Sequence, residues 1–312
     1  MPVVAIYIIF MSHIMSSVTA SSSSLAIATR LHLGQASSPP PTSQLHKTLS
    51  SFAKVASNIA ATHAVVAVDS EEKLEGYDLL DEVTKICQSL NDDTEIDNDN
   101  NSLEICTSSS HKTKIHVLPV TPWGKFVPAL NAIVTWCANH KCQYLLFASA
   151  EVQLTRDVMN VMISKMDIER TLVVGTVLSG HEYKQPTNGE EEIKVELTGR
   201  TTPWNTCALW NVPKLALTGF LLVSEGLHPE EEEGISSAGV EEVVAIATLQ
   251  KILQPSNAQA KLVSIPGTSW GIQDFNNDEK RKEWHEKKMQ SKLTRAKRQL
   301  DLLGLSGTVI HC

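Results

Sequence analysis

The chain has no excess of positive charge: over 312 residues, 27 Lys and Arg face 35 Asp and Glu, a formal net charge of −8. A surface of that sign repels phosphate backbones, which excludes a general nucleic-acid binder. There is no CxxC pair and no His-rich spacing; the six cysteines are Cys87, Cys106, Cys137, Cys142, Cys207 and Cys312. Zinc-site spacings are therefore absent, and buried free thiols are expected, with a disulfide open if the chain is secreted. The N-terminal "VVAIYIIF", with "MSHIM" behind it, is too short to cross a bilayer comfortably.

That first stretch also lacks the Lys or Arg of a usual signal-peptide start. It nevertheless leads into Val18-Thr19-Ala20, small residues that a signal peptidase accepts. Residues 21–44 are rich in Ser, Thr and Pro, carry Arg30 and contain no acid. Such composition suits a disordered stem or a transit segment. Residues 1–45 are thus expected to be a targeting segment and linker outside the fold. The protein is expected in the secretory pathway, in the lumen of the endoplasmic reticulum or Golgi or secreted, with a plastid destination open.

What remains is long enough to bury a substantial core. "HAVVAVDS", "KIHVLPV", "QYLLFAS" and "RTLVVGTVL" read as apolar strands. Helical spacing separates them in "GYDLLDEVTKICQSL", "VPALNAIVTWCANH" and "TRDVMNVMISKM". Alternation of this kind predicts an α/β domain over residues 46–275, with a mostly parallel sheet covered by helices on both faces. The second half is less regular. "IKVEL" suggests a hairpin, "GVEEVVAIATLQKIL" a helix and "AKLVSI" a last short strand. Residues 276–312 should add a long basic helix packed on the domain, with Asn276 and Glu279 as a capping box and Gly304 as its stop. Its apolar stripe is Met289, Leu293, Ala296, Leu300 and Leu303.

In parallel sheets ligands bind beyond the carboxyl ends of the strands. The strand "YLLFA" runs into Ser149-Ala150-Glu151, which should therefore sit where chemistry is placed. The order of motifs around it resembles the family 2 glycosyltransferases, which have the GT-A-type nucleotide-sugar fold. Gly124-Lys125, Ala129-Leu130-Asn131, a helix, and then a strand ending at Ser149-Ala150-Glu151 follow that family's sequence of landmarks. Ser149-Ala150-Glu151 stands in the place of the Asp-x-Asp motif, with Ser for the first acid and Glu for the second. One residue more than expected separates Gly-Lys from Ala-Leu-Asn. "TPWNTCALWNVPKLALTGF" looks like the acceptor-lining segment and "GVEEV" like the acidic pair that supplies a base. The resemblance covers residues 60–275; the Gln/Arg/Trp signature of processive members is missing, which implies no polymer synthesis in the membrane and no integral membrane domain.

The resemblance implies an inverting transfer from a nucleotide-diphosphate sugar to a glycan, lipid or protein acceptor. Glu151 would hold Mn or Mg against the diphosphate, with Ser149 on the ribose or a metal-bound water. Asp69, Lys125 and Asn131 would meet the nucleotide sugar. Glu241 or Glu242 would take the acceptor's proton; neighbours on a helix cannot both face one cleft, and Glu242 is the choice. Trp204 and Trp210 would stack on sugar. Each has a plain alternative: a polar strand end, an exposed loop lysine, acids complementing a helix dipole, buried core tryptophans. His181 and His285 are open as metal partners or structural residues. The basic helix, with nine Lys and Arg against four acids between Asp278 and Arg298, could face donor phosphates, an anionic membrane or solvent. A silent binding module on the same fold stays open because of Ser149. Nucleotidyl transfer would want a Gly-rich basic loop after the first strand, and "VDSEEKLEGYD" is acidic instead.

Overall fold

Strands that are apolar on nearly every residue need cover on both faces, and the chain supplies it by alternating them with amphipathic helices. The computed structural model describes residues 24–33, 38–71, 73–74, 76–93, 113–150, 152–187, 189–226, 240–270 and 279–312. The first half contains β1 (Leu25–Leu31), α1 (Thr42–Asn58), β2 (His63–Asp69), β3 (Lys73–Leu74), β4 (Tyr77–Asp78), α2 (Leu79–Asp93) and β5 (Lys114–Val120). It continues with α3 (Val127–Asn139), β6 (Tyr144–Ala148), β7 (Val152–Gln153), α4 (Arg156–Ser164) and β8 (Thr171–Thr176). The second half contains β9 (Ile193–Glu196), β10 (Cys207–Asn211), α5 (Val212–Leu215), α6 (Glu241–Leu253), β11 (Gln259–Val263) and β12 (Ser269–Trp270). Last come α7 (Glu279–Leu303) and β13 (Thr308–His311).

Nine strands form one sheet in the order β5-β2-β1-β6-β10-β8-β11-β13-β9. Neighbours are parallel except where β10 and β9 run against theirs. Helices α1, α2 and α4 bury their apolar stripes on one face, and α3, α6 and α7 cover the other. Helix α1 shows why: Leu45, Leu49, Phe52, Val55 and Ala56 recur at helical spacing and all are buried. Each large side chain so buried stabilises the fold by about 1.5–3 kcal/mol.

The α/β architecture is as the sequence predicts, but three boundaries differ. Residues 25–31, placed outside the fold on composition, are instead the strand β1 between β2 and β6. A seven-residue "LAIATRL" in a Ser- and Pro-rich setting is diluted in any composition window, yet Leu25 to Thr29 are all buried. The domain therefore starts before residue 46. Secondly, "IKVEL" does not close a local hairpin: β9 pairs antiparallel with β13, over a hundred residues on. Thirdly, β13 is the last strand, so residues 276–312 are part of the sheet as well as a helix laid on it. The stripe on α7 is as expected, with Met289, Ala296 and Leu300 buried and Gly304 in the left-handed region at φ 57°. Asn276 of the expected capping box lies outside the described residues.

Helix α3 ends in a Schellman turn that also sets two cysteines together. The Cys142 N–H donates to the Cys137 carbonyl at 2.9 Å and the Lys141 N–H to Ala138 at 3.0 Å, with Lys141 at φ 57°. The described cysteines are free thiols, four of them buried and Cys312 half-buried.

Candidate functional site

From β1 the chain steps outward to β2 and then β5, and α3 carries it back to β6 on the opposite side of β1. Adjacent strands that leave in opposite directions open a crevice at their carboxyl ends. A cleft of about 640 Å³ lies there, with residues 28–32 of β1 and its exit and residues 147–150 of β6 and its exit along one side. Lys125 and Phe126, just ahead of α3, complete that side.

The facing side comes from the second half. Because β10 is antiparallel to β6, its entry, and not its exit, reaches the carboxyl edge, and the Ser149 N–H donates to the Thr206 carbonyl at 3.0 Å. Asn205 and Thr206 thereby enter the cleft, beside Glu241 and Glu242 from the start of α6 and Lys292 and Arg295 from α7.

Glu242 is 4% exposed and accepts the Asn205 N–H at 2.7 Å. Burial first, and the neighbouring Glu241 second, push its pKa up to about 7, against the pull of Lys292 and the Asn205 N–H. The amide of Asn205 is occupied on one side only: Oδ1 accepts from Trp210 Nε1 at 2.9 Å, while Nδ2 is buried with no partner among the described residues. Lys292 and Arg295 lie one helical turn apart. Lys292 Nζ stands 3.7 Å above the Trp204 ring, and Arg295 Nε donates to the Ser291 carbonyl at 3.3 Å. Burial lowers the pKa of Arg295, opposed by Glu241 and Glu242. Arg30 also lines the cleft, its Nη1 donating to the Phe126 carbonyl at 3.3 Å.

The N-terminus of α3 is already filled. Glu225 Oε1 accepts the backbone N–H groups of Lys125, Phe126 and Val127 at 3.1, 2.7 and 2.6 Å. A carboxylate there complements the helix dipole and satisfies three donors that the helix itself leaves open. Gly124, at φ 63°, leaves room for it, since a Cβ would stand 2.7 Å from that carboxylate.

Of the residues singled out in the sequence, Glu241, Glu242, Lys125 and Ser149 meet in the cleft; both neighbouring acids line it, contrary to the expectation that only one could, because they sit at the first turn of α6. Four others do not line it. Asn131 is a clamp: its Nδ2 donates to the Phe220 carbonyl at 2.9 Å and its Oδ1 accepts the Phe220 N–H at 2.8 Å. Asp69 is at the same sheet edge one strand away, accepting the Glu71 N–H at 2.9 Å. Trp204 and Trp210 are 1% and 0% exposed, so neither presents a ring face to a sugar. The Trp204 ring is sandwiched, with His181 stacked at 3.6 Å and Lys292 on it, while Trp210 packs edge-on against Phe220. Both tryptophans are core because the strand and turn that carry them pass beneath α6 and α7. His181 spends its ring on backbone, accepting the Leu178 N–H at 2.8 Å and reaching the Thr202 carbonyl at 3.0 Å, and burial drives its pKa down to about 3. Glu151 and the side chain of His285 lie outside the described residues. Arg30, Asn205, Lys292 and Arg295 were not singled out; the i, i+3 spacing of the last two within a basic helix was the available signal.

Among the described residues, which do not include Glu151, no group of three or more His, Cys, Asp and Glu is placed to hold a metal ion. Of the two carboxyls in the cleft, Glu242 is bound to a backbone N–H and titrates near 7, and cationic side chains share the space.

No protein-family model and no curated protein sequence matches the chain. Among solved structures, S. aureus TarS 1–349 in complex with UDP aligns over 78% of this chain and 59% of that one, at 13% identity and a TM-score of 0.40. The complex of the same segment with UDP-GlcNAc aligns over 72% of this chain and 52% of that one, at 12% identity and a TM-score of 0.35. The chain thus spans little more than half the length of those two. Likeness at that level transfers no residue from one protein to the other, and the cleft stands on its own geometry.

Proposed function

We propose that the chain is a glycosyltransferase-like enzyme, moving a sugar with inversion from a nucleotide-diphosphate sugar to a hydroxyl of a glycan, lipid or protein acceptor. The observation that supports this most is Glu242, a buried carboxyl raised to about 7 that opens on a crevice at the sheet's switch point. A group that titrates near neutrality can both take a hydroxyl proton and hold it. As the acceptor oxygen bonds to the anomeric carbon, its proton passes to Glu242 and the bond from that carbon to the diphosphate breaks. The electron pair leaves on the diphosphate, so negative charge grows in the cleft that also holds Arg30, Lys125, Lys292 and Arg295.

Glu242→Gln tests this, since it keeps an oxygen for the Asn205 N–H and removes the proton acceptor. Release of nucleoside diphosphate from a panel of nucleotide sugars should fall about 10²–10⁴-fold, with nucleotide binding retained. Parent activity should rise with pH through about 7 as the carboxyl deprotonates. A parent that binds nucleotide but turns over no donor would instead be a nucleotide- or glycan-binding module. Val18-Thr19-Ala20 supports a secretory destination, and mass analysis should then show a mature start past Met1 but ahead of β1.

A further inference from the structure

Transfer from a diphosphate donor requires that the charge of the leaving group be met, and a bound divalent cation is one means. Helix α7 supplies another means. Its residues 292 and 295 are one turn apart, so both project toward the same side, and both line the cleft opposite the exits of β1 and β6. The position of α7 is tightly fixed: a Cβ on Gly199 would stand 2.1 Å from the Lys292 carbonyl, so the helix backbone rests directly on that turn. Lys292 is further held by its seat on Trp204. Asn205 lines the same cleft, its buried Nδ2 lacking an acceptor among the described residues. Two cations on a fixed helix suit an anion with several oxygens.

We propose that Lys292 and Arg295 bind the donor's diphosphate directly and carry the charge neutralisation that a divalent metal would otherwise give. The proposal rests on the nucleotide-sugar reading of the cleft and names how that site holds its donor. Arg295 offers a planar fork for two phosphate oxygens and Lys292 a point charge beside it.

The test measures binding, by calorimetry on the full chain, of inorganic pyrophosphate and of UDP, each in EDTA and in manganese. Pyrophosphate removes any dependence on the identity of the base. Both ligands should bind in EDTA, and Lys292→Met and Arg295→Met should each weaken them at least about tenfold. Lys292→Arg should keep most of the affinity while Lys292→Met loses it, whereas a purely structural role in packing on Trp204 would let Met do as well. Where Arg295→Met lowers the melting temperature, the lysine pair of variants carries the test, because Met preserves the apolar stem over the ring. Binding that requires manganese and is equal in parent and variants overturns the proposal and leaves the nucleotide-sugar reading standing. A parent that binds neither ligand, with or without manganese, overturns both.

Discussion

One wall of the cleft is made of strand exits, residues 28–32 and 147–150, whereas the other is made of side chains from a turn and two helices that are far apart in sequence. The first wall follows from topology: any chain with this strand order has a crevice between β1 and β6. The second follows from packing, since Glu242 and Lys292 reach the cleft only because α6 and α7 lie on the Trp204 turn. Shape comes from one half of the molecule, whereas both acids and two of the four cations come from the other. The half that fixes shape tells little about chemistry, and the half that carries chemistry has the less regular sequence.

The largest test of this contrast is deletion. A chain beginning at residue 46 lacks β1 and leaves β2 and β6 without their shared neighbour, so it should fail to fold by circular dichroism and by proteolysis. A chain beginning at residue 24 should fold, and if the shorter one also does, the first wall is not built on β1. Next in size is Trp204→Ala. Loss of a fully buried indole, and of its N–H bond to the Gly199 carbonyl at 2.9 Å, should cost about 3–5 kcal/mol in urea unfolding. A cleft-lining stacking residue would instead leave stability intact and raise KM for the acceptor.

Asn131→Ala should cost about 1–3 kcal/mol, because both backbone groups of Phe220 lose their partner. Nucleotide affinity should not change, and a selective loss of affinity would return Asn131 to the site. The smallest effect concerns pH. Glu242, raised from 4.5 to about 7, contributes stability that is present below pH 4.5 and lost as pH rises to 7. His181, lowered from 6.5 to about 3, contributes stability that is present above pH 6.5 and lost as pH falls toward 3. The two slopes oppose each other between pH 4.5 and 6.5. Glu242→Gln removes one of them, so the variant's stability should rise with pH more steeply than the parent's in that window.

Legibility followed the same division. The alternation from β2 to β8 could be read because each element carries its own period, and Ser149 and Lys125 could be placed at strand and helix ends. Strand β1 escaped because seven apolar residues were weighed with the Ser- and Pro-rich chain around them. Strand β13 escaped because "TVIH" is only four residues long and its partners are distant. Glu242 was found from two adjacent acids at a helix start, although nothing local shows that it is buried. Trp204 and Trp210 were misplaced for a related reason: a tryptophan's sequence neighbours do not reveal whether a helix hundreds of atoms away covers it. Asn131 was singled out through the Ala-Leu-Asn landmark, but its partner Phe220 is supplied by a remote turn.

The central place of β1 has a consequence for how the molecule comes into being. Its partner β6 pairs Tyr144 with Leu25, so β1 leaves the ribosome long before half of its hydrogen-bond partners exist. At the other end, β13 must insert between β11 and β9 after every other described strand has been made. Pairings of such long range close slowly. A nascent chain therefore shows open sheet edges through most of its synthesis, a state that chaperones bind and that aggregates if unprotected. The second wall is anchored last, so partial products of translation lack the Lys292 and Arg295 side of the cleft.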